Sequence, residues 1–387
     1  MKKILYSILL LSIFLEPSAQ VNTNPIRAGL FSSFYLDSAF DGSGNYKLND
    51  NFPRQAIAGL EFYEGVVMAI DSINASGVSA KLEVYDTKSK QGNIEKLSKH
   101  GKFDSLDLML FHGGLTEYLK LEAISKQKKI PLISASYPND GGVRRNPLVF
   151  IANPTIKTHL EVIVEQLGAR WENSNIIWFN RSDLADSRLA ALFNEIIQNT
   201  KLKENIKHIT LDPSFSSQDL ANSIDTTKNN VLIAGSLDNN FAVNFARAVS
   251  LIEKKGIIQV VGLPNWDGLK EIQSPVYVGI PIYFSSEMSA AKYNQWANNF
   301  EERFKEVTGV QSSRSAIKGF ELTFYFLNLL SKQGSILIND SLSQMFILLN
   351  EFDFKPVRLT DDSTTPDYIE NKKVYFIRRL NGVESNQ

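Results

Sequence analysis

The sequence predicts an α/β protein made of two doubly wound, mostly parallel-sheet domains. Three observations support this. Short apolar runs alternate with segments of helical period from residue 26 to residue 261. The alternation comes as two similar half-folds with no fixed short period, which argues against a solenoid. A chain of 387 residues is also too long for one comfortable core, so two domains are the natural division.

The first half is organised around residues 105–155. Residues 106–111, closed by His112-Gly113-Gly114, read as a strand buried on both faces. A helix follows with Leu115, Tyr118, Leu119 and Ala123 at i, i+3, i+4 and i+8. Pro131 opens a second short strand, Leu132-Ile133-Ser134, which runs into Ala135-Ser136. Strand ends of this kind, glycines at one and hydroxyls at the next, are where open parallel sheets bind ligands. The helix behind Gly113-Gly114 offers free backbone N–H groups to an anion.

Before this stretch, residues 26–31 read as a strand and a polar loop holds irregular structure to about Ala58. Gly42 and Gly44 begin no dinucleotide fingerprint, because no helix opens behind them. Helical period starts at Leu60, with Tyr63, Val67 and Ile70 in phase. Residues 81–85 form a strand ending at Asp86-Thr87, and 93–100 a short helix. From residue 147 the strands are 147–152, 175–179, 206–211, 230–234 and 257–261. The helices between them are 156–167, 185–198, 218–224 and 241–252. The strand ends carry Asn180-Arg181-Ser182-Asp183, then Gly235-Ser236-Leu237-Asp238, then Gly262 through Asp267. Beyond these, 276–284 is extended, 293–307 and 316–330 are helices, and 342–349 has the pattern for a third. Residues 353–358 and 374–378 read as antiparallel additions flanking a polar loop.

Composition narrows the function. A net charge of −1 gives no footprint for nucleic acid or an anionic membrane. The chain has no Cys, which excludes disulfides, thiolate catalysis, cysteine metal sites and a lipid-modified N-terminal cysteine. Lys2 and Lys3, the apolar run 4–15 and the segment Glu16 to Ala19 have the anatomy of a cleavable secretory signal covering residues 1–19. That run is too short to span a bilayer, so the mature protein is expected in the periplasm, without membrane insertion. No enzyme motif is present. His112-Gly113-Gly114 has no G-x-S-x-G elbow to serve. His100, His112, His159 and His208 show no zinc spacing, and there is no phosphate-binding glycine-lysine loop. No metal or cofactor is expected.

Several segments together resemble the type I periplasmic binding proteins, especially the leucine-binding-like, branched-chain amino-acid receptors of ABC importers. Residues 62–74 are similar to that family's first helix, and 82–87 to its second strand and closing aspartate. Phe111 to Thr116 stands where the family has its glycine-serine ligand loop. Residues 131–136 match the strand before the second ligand loop, and 149–154 the first crossing between domains. The resemblance implies one lobe of residues 20–152 plus 284–339 and another of 153–283 plus 340–387. A ligand would sit between them, with hinge closure on binding. Carried over position by position, the first lobe would supply Gly114, Leu115, Thr116, Ser134, Ala135, Ser136 and Tyr137. The second would supply Ser236, Asp238, Asn265 and Trp266, with Asp267 beside them. The implied partners are a small-molecule ligand, amino-acid-like or otherwise polar, and an ABC-type membrane permease.

Two departures bear on the ligand: Leu115-Thr116-Glu117 replaces a serine-rich loop, and Pro138 follows Tyr137. The single residues also have second readings. Gly114, Thr116 and Asp238 suit helix caps, Ser134-Ala135-Ser136 suits close packing, and Trp266 suits a core. A protein-interaction module that kept the fold and lost the ligand therefore stands beside solute capture.

Overall fold

The structure, a computed structural model, describes residues 24–49, 52–253, 257–290, 295–334, 349–360 and 364–387. The signal at 1–19, the third helix expected at 342–349 (save its last residue) and the boundary at 339/340 lie outside the described residues.

Strands β1 (Ile26–Ser32), β2 (Ala80–Asp86), β3 (Leu108–His112), β4 (Leu132–Ser134) and β5 (Val149–Ile151) are parallel, in the order β5-β4-β3-β1-β2. Strands β6 (Asn175–Asn180), β7 (Ile206–Thr210), β8 (Asn230–Ala234), β9 (Ile258–Gly262) and β10 (Ile282–Ser286) build a second parallel set, in the order β10-β9-β8-β6-β7. The tail completes both sheets. β11 (Phe354–Val357) and β12 (Tyr368–Asn371) extend the first, β12 lying parallel to β5. β13 (Tyr375–Leu380) and β14 (Val383–Asn386) extend the second, β13 antiparallel to β10 and β14 antiparallel to β13. Each sheet thus has seven strands, mostly parallel.

This corrects the expected lobe boundaries at two points. Residues 284–286 lie in β10 and so in the second sheet, while 354–357 and 368–371 belong to the first. The last passage between sheets therefore falls between Asn371 and Tyr375, not near residue 340. The polar segment read as a loop hides β12, because Glu370 and Asn371 are buried strand residues satisfied by distant partners. Residues 270–277, expected to be partly extended, form two short 3-10 turns, the second opened by Pro275.

The helices are α1 (Leu36–Ala39), α2 (Arg54–Ala75), α3 (Ile94–Lys99), α4 (Leu115–Lys128), α5 (Ile156–Trp171), α6 (Leu184–Ile197), α7 (Ser217–Ala221), α8 (Asn239–Ser250), α9 (Gln295–Thr308) and α10 (Arg314–Gln333). Each sheet has apolar clusters on both faces, so β3, β6 and β8 read as continuous apolar runs. Helices α2 and α10 pack together through glycine. A Cβ on Gly65 would collide with the carbonyl of Ala316, and one on Gly319 with that of Phe62. Gly65→Ala is accordingly expected to destabilise the chain by about 1–3 kcal/mol, despite alanine's roughly 1 kcal/mol helix advantage. Urea unfolding checks this, and a neutral or stabilising result contradicts so close an approach.

Candidate functional site between the two sheets

The C-terminal ends of the parallel strands from both sheets line one pocket of about 410 Å³. Pro138 and Asn139 come from the loop after β4, and Leu237 from the loop after β8. Pro264, Asn265 and Asp267 follow β9, and Ser286 and Glu287 end β10. Asn153 and Pro154 of the first passage, Ile156 and His159 of α5, and Arg314 at the start of α10 complete the wall.

Charged side chains knit this wall together. Asp267 accepts from Ser286 Oγ at 2.5 Å and pairs with Arg314 at 2.6 Å, joining the β9 loop to α10. Lys318, one turn along α10, pairs with Glu287 at 2.7 Å and also contacts Asn153 Oδ1. The amide of Asn153 in turn donates to the carbonyl of Ser136 at 3.0 Å. At the last passage, Glu370 accepts from Thr155 N at 2.9 Å and Thr158 Oγ1 at 2.7 Å, and pairs with Lys372 at 2.7 Å. Burial would raise the pKa of Glu370, but the Lys372 charge and these hydrogen bonds hold it below the usual glutamate range.

His159 is 5% exposed, and its Nδ1 has no partner. Burial pulls its pKa down to about 4, with the Lys318 charge adding to the shift and Glu370 and Asp267 opposing it. His112, stacked on Phe62 at 5.1 Å, is likewise lowered to about 4 by burial and then by Lys318. Both imidazoles are neutral at pH 7. Their folded pKa values lie below the unfolded value near 6.5, so the unfolded chain binds the protons first. The stability they protect is whole above pH 6.5 and is lost progressively toward pH 4, at about 3 kcal/mol for each. Urea midpoints measured from pH 7 to pH 4 should fall accordingly, and His159→Phe should flatten the slope.

The residues expected at the site divide into groups. Asn265 lines the pocket; its amide donates to Asn239 Oδ1 at 3.3 Å, and its own Oδ1 has no partner. Gly114 caps α4, and Leu115 and Thr116 are exposed beyond it, outside the residues that line the pocket. Ser136 is turned inward: its hydroxyl accepts from Gly113 N at 2.8 Å and donates to Gly113 O at 3.2 Å. Gly113 N is thereby engaged, while the start of α4 behind it has no side-chain cap. Tyr137 packs against Tyr118 with its ring tilted, centroids 5.1 Å apart, leaving its neighbours Pro138 and Asn139 to line the pocket.

Four expected contacts are buried elsewhere. Ser134 and Ala135 lie inside the first sheet's core. Ser236 is fully buried and donates to Asp186 Oδ1 at 2.9 Å. Trp266 is fully buried against Gly262 in the second lobe's core, so as a cover for ligand it is corrected to core. Asp238 caps α8 through Phe241 N at 2.7 Å and pairs with Arg181 at 3.3 Å. The sequence reading missed His159, Glu287 and Arg314. No local pattern marks them, although Asn153-Pro154 had pointed to the passage they surround.

Among the described residues no group of His, Asp and Glu is arranged to hold a metal ion, and no helix is long and apolar enough to cross a membrane.

The fold is that of the type I periplasmic binding proteins. A putative branched-chain amino acid ABC transporter protein from Rhodospirillum rubrum superposes with a TM-score of 0.68 at 13% identity, over 94% of this chain and all of the other. An ABC transporter substrate-binding protein from Desulfitobacterium hafniense in complex with Leu gives 0.60 at 11% identity, with the same coverage. A solute-binding protein from R. palustris in complex with benzoate gives 0.53 at 13% identity, over 94% of this chain and 95% of the other. At such identities the likeness is one of fold. No family model and no curated protein matches the sequence.

Proposed function

We propose that this chain is an exported, non-enzymatic solute-binding protein whose lobes close on a small polar molecule and present it to an ABC-type permease. The observation that carries this reading is the pocket itself. Strand ends of both sheets and the charged groups of Asp267, Glu287 and Arg314 line one cavity, and His159 and Asn265 in its wall keep polar atoms without partners. Ion pairs such as Arg314–Asp267 bridge the lobes, so opening and closing would exchange them for contacts to ligand. The relatives in fold bind leucine and benzoate, so solutes of that size define the first screen.

A thermal-shift screen of residues 20–387 against amino acids, amides, sugars, nucleobases and aromatic acids tests this. A ligand at a hundred times its dissociation constant should add about 2.7 kcal/mol of stability. Arg314→Gln should weaken that ligand at least tenfold, about 1.4 kcal/mol, because Asp267 is left without its cation. No shift anywhere in the screen contradicts the reading.

One observation favours a second reading, a ligand-free interaction module of the cell envelope. In the first lobe Lys88 and Glu117 form a 2.7 Å pair over the strand ends where a ligand loop was expected.

A further inference from the structure

We propose that the cleft takes an uncharged solute bearing hydrogen-bond donors, such as an amide, polyol or nucleobase, and rejects carboxylates. The inference rests on the solute-binding reading and names the ligand class. Its basis is how the helix N-termini on the cleft side are filled. A helix that follows a parallel strand begins at the strand's C-terminal end, and its free N–H groups are the natural seat for a ligand anion. Here the chain's own acids take four of those seats. Asp86 accepts from Phe34 N at 2.9 Å, Tyr35 N at 3.2 Å and Leu36 N at 2.8 Å ahead of α1. The start of α4 has no side-chain cap; Glu117 in its first turn, paired with Lys88, places a fixed acid beside it. Glu370 takes the N–H of Thr155 at the start of α5. Asp183 accepts from Asp186 N at 2.9 Å to cap α6, and Asp238 from Phe241 N at 2.7 Å to cap α8.

The pocket wall is balanced in the same way. Asp267 is met by Arg314 and Glu287 by Lys318, and His159 is neutral at pH 7. Among the described residues lining this space, a carboxylate would find no unpaired cation and would lie near fixed acids. An ammonium would find every acid already paired. What remains without a partner is Asn265 Oδ1, an acceptor, and Nδ1 of the buried His159. Asn139 and Asn153 add neutral amides to the wall, with Leu237 and Ile156 as its apolar part. A molecule with N–H or O–H donors and no net charge matches that set.

The test is calorimetric titration with trios that share a skeleton and differ in charge: 4-methylpentanoate, 4-methylpentanamide and 4-methylpentylamine; benzoate, benzamide and benzylamine; orotate, uracil and 5-aminomethyluracil. The neutral member should bind at least tenfold more tightly than its acid and its amine, with affinity nearly independent of salt. An acid or amine that binds tightest in its trio overturns the inference and leaves solute binding standing. A failure of all three trios, alongside a charged hit in the broad screen, also overturns it, while an uncharged polyol hit supports it. Silence in both overturns the solute-binding reading as well. Glu117→Gln should remove the fixed acid beside the uncapped start of α4 and free Lys88, raising benzoate affinity at least tenfold over the parent. Unchanged benzoate affinity in that folded variant contradicts the inference.

Discussion

Glu370→Ala is expected to destabilise the protein by about 3–5 kcal/mol, the scale for removing one partner of a buried, hydrogen-bonded ion pair. Glu370 is 1% exposed and holds Thr155 N, Thr158 Oγ1 and Lys372 Nζ together where the chain passes between the sheets. Alanine strands all three donors, and the orphaned Lys372 charge dominates the loss. The pH dependence follows from the lowered pKa of Glu370. Its contribution is present above the unfolded glutamate value and disappears as pH falls through the folded value. Equilibrium urea unfolding at pH 7 reads the effect; a cost under about 1 kcal/mol would place the pair with ordinary surface ion pairs. Because Glu370 joins the β12 side of the passage to α5, the variant should also loosen the lobes against each other.

Trp266→Ala is expected to cost about 3–5 kcal/mol with little change in ligand affinity. The indole is fully buried against Gly262 and belongs to the cluster that includes Phe241, Ile272 and Phe284. A residue covering ligand would behave oppositely, losing affinity and keeping stability. Measuring both quantities on the same variant separates the two roles.

That pair of roles shows what the sequence does and does not make legible. Strands such as β3, β6 and β8 announce themselves, because a strand covered on both faces is an uninterrupted apolar run. Helix phase is harder to read. In α2 the buried face runs through Gly59, Phe62, Val66, Ala69 and Ile73; of the expected Leu60, Tyr63, Val67 and Ile70 only Ile70 is buried, the others being partly exposed. Gly65, which lets α10 approach, is buried in α2 but carries no hydrophobic signal. In α4, Leu115 and Leu119 are exposed while Tyr118, Leu121 and Ile124 are buried.

The site was legible only as loops. Asp238 as a helix cap could be read locally, since a cap and its N–H lie three residues apart. Glu370 with Thr155, or Asp267 with Arg314, could not, because their partners are set by how the sheets are completed. β12 was hidden for the same reason: its buried Glu370 and Asn371 look like loop residues until the first sheet supplies their partners.

The central claim, that two lobes shut on a guest in the pocket between them, is tested most directly by a distance. The chain has no native cysteine, so Leu119→Cys in α4 and Leu184→Cys in α6, both exposed, can carry a pair of spin labels across the cleft. Saturating the protein with the strongest hit of the screen should narrow the distance distribution and shorten its mean by several ångström. Arg314→Gln should reduce the response at equal ligand concentration. A distribution unchanged by a ligand that demonstrably binds would contradict closure.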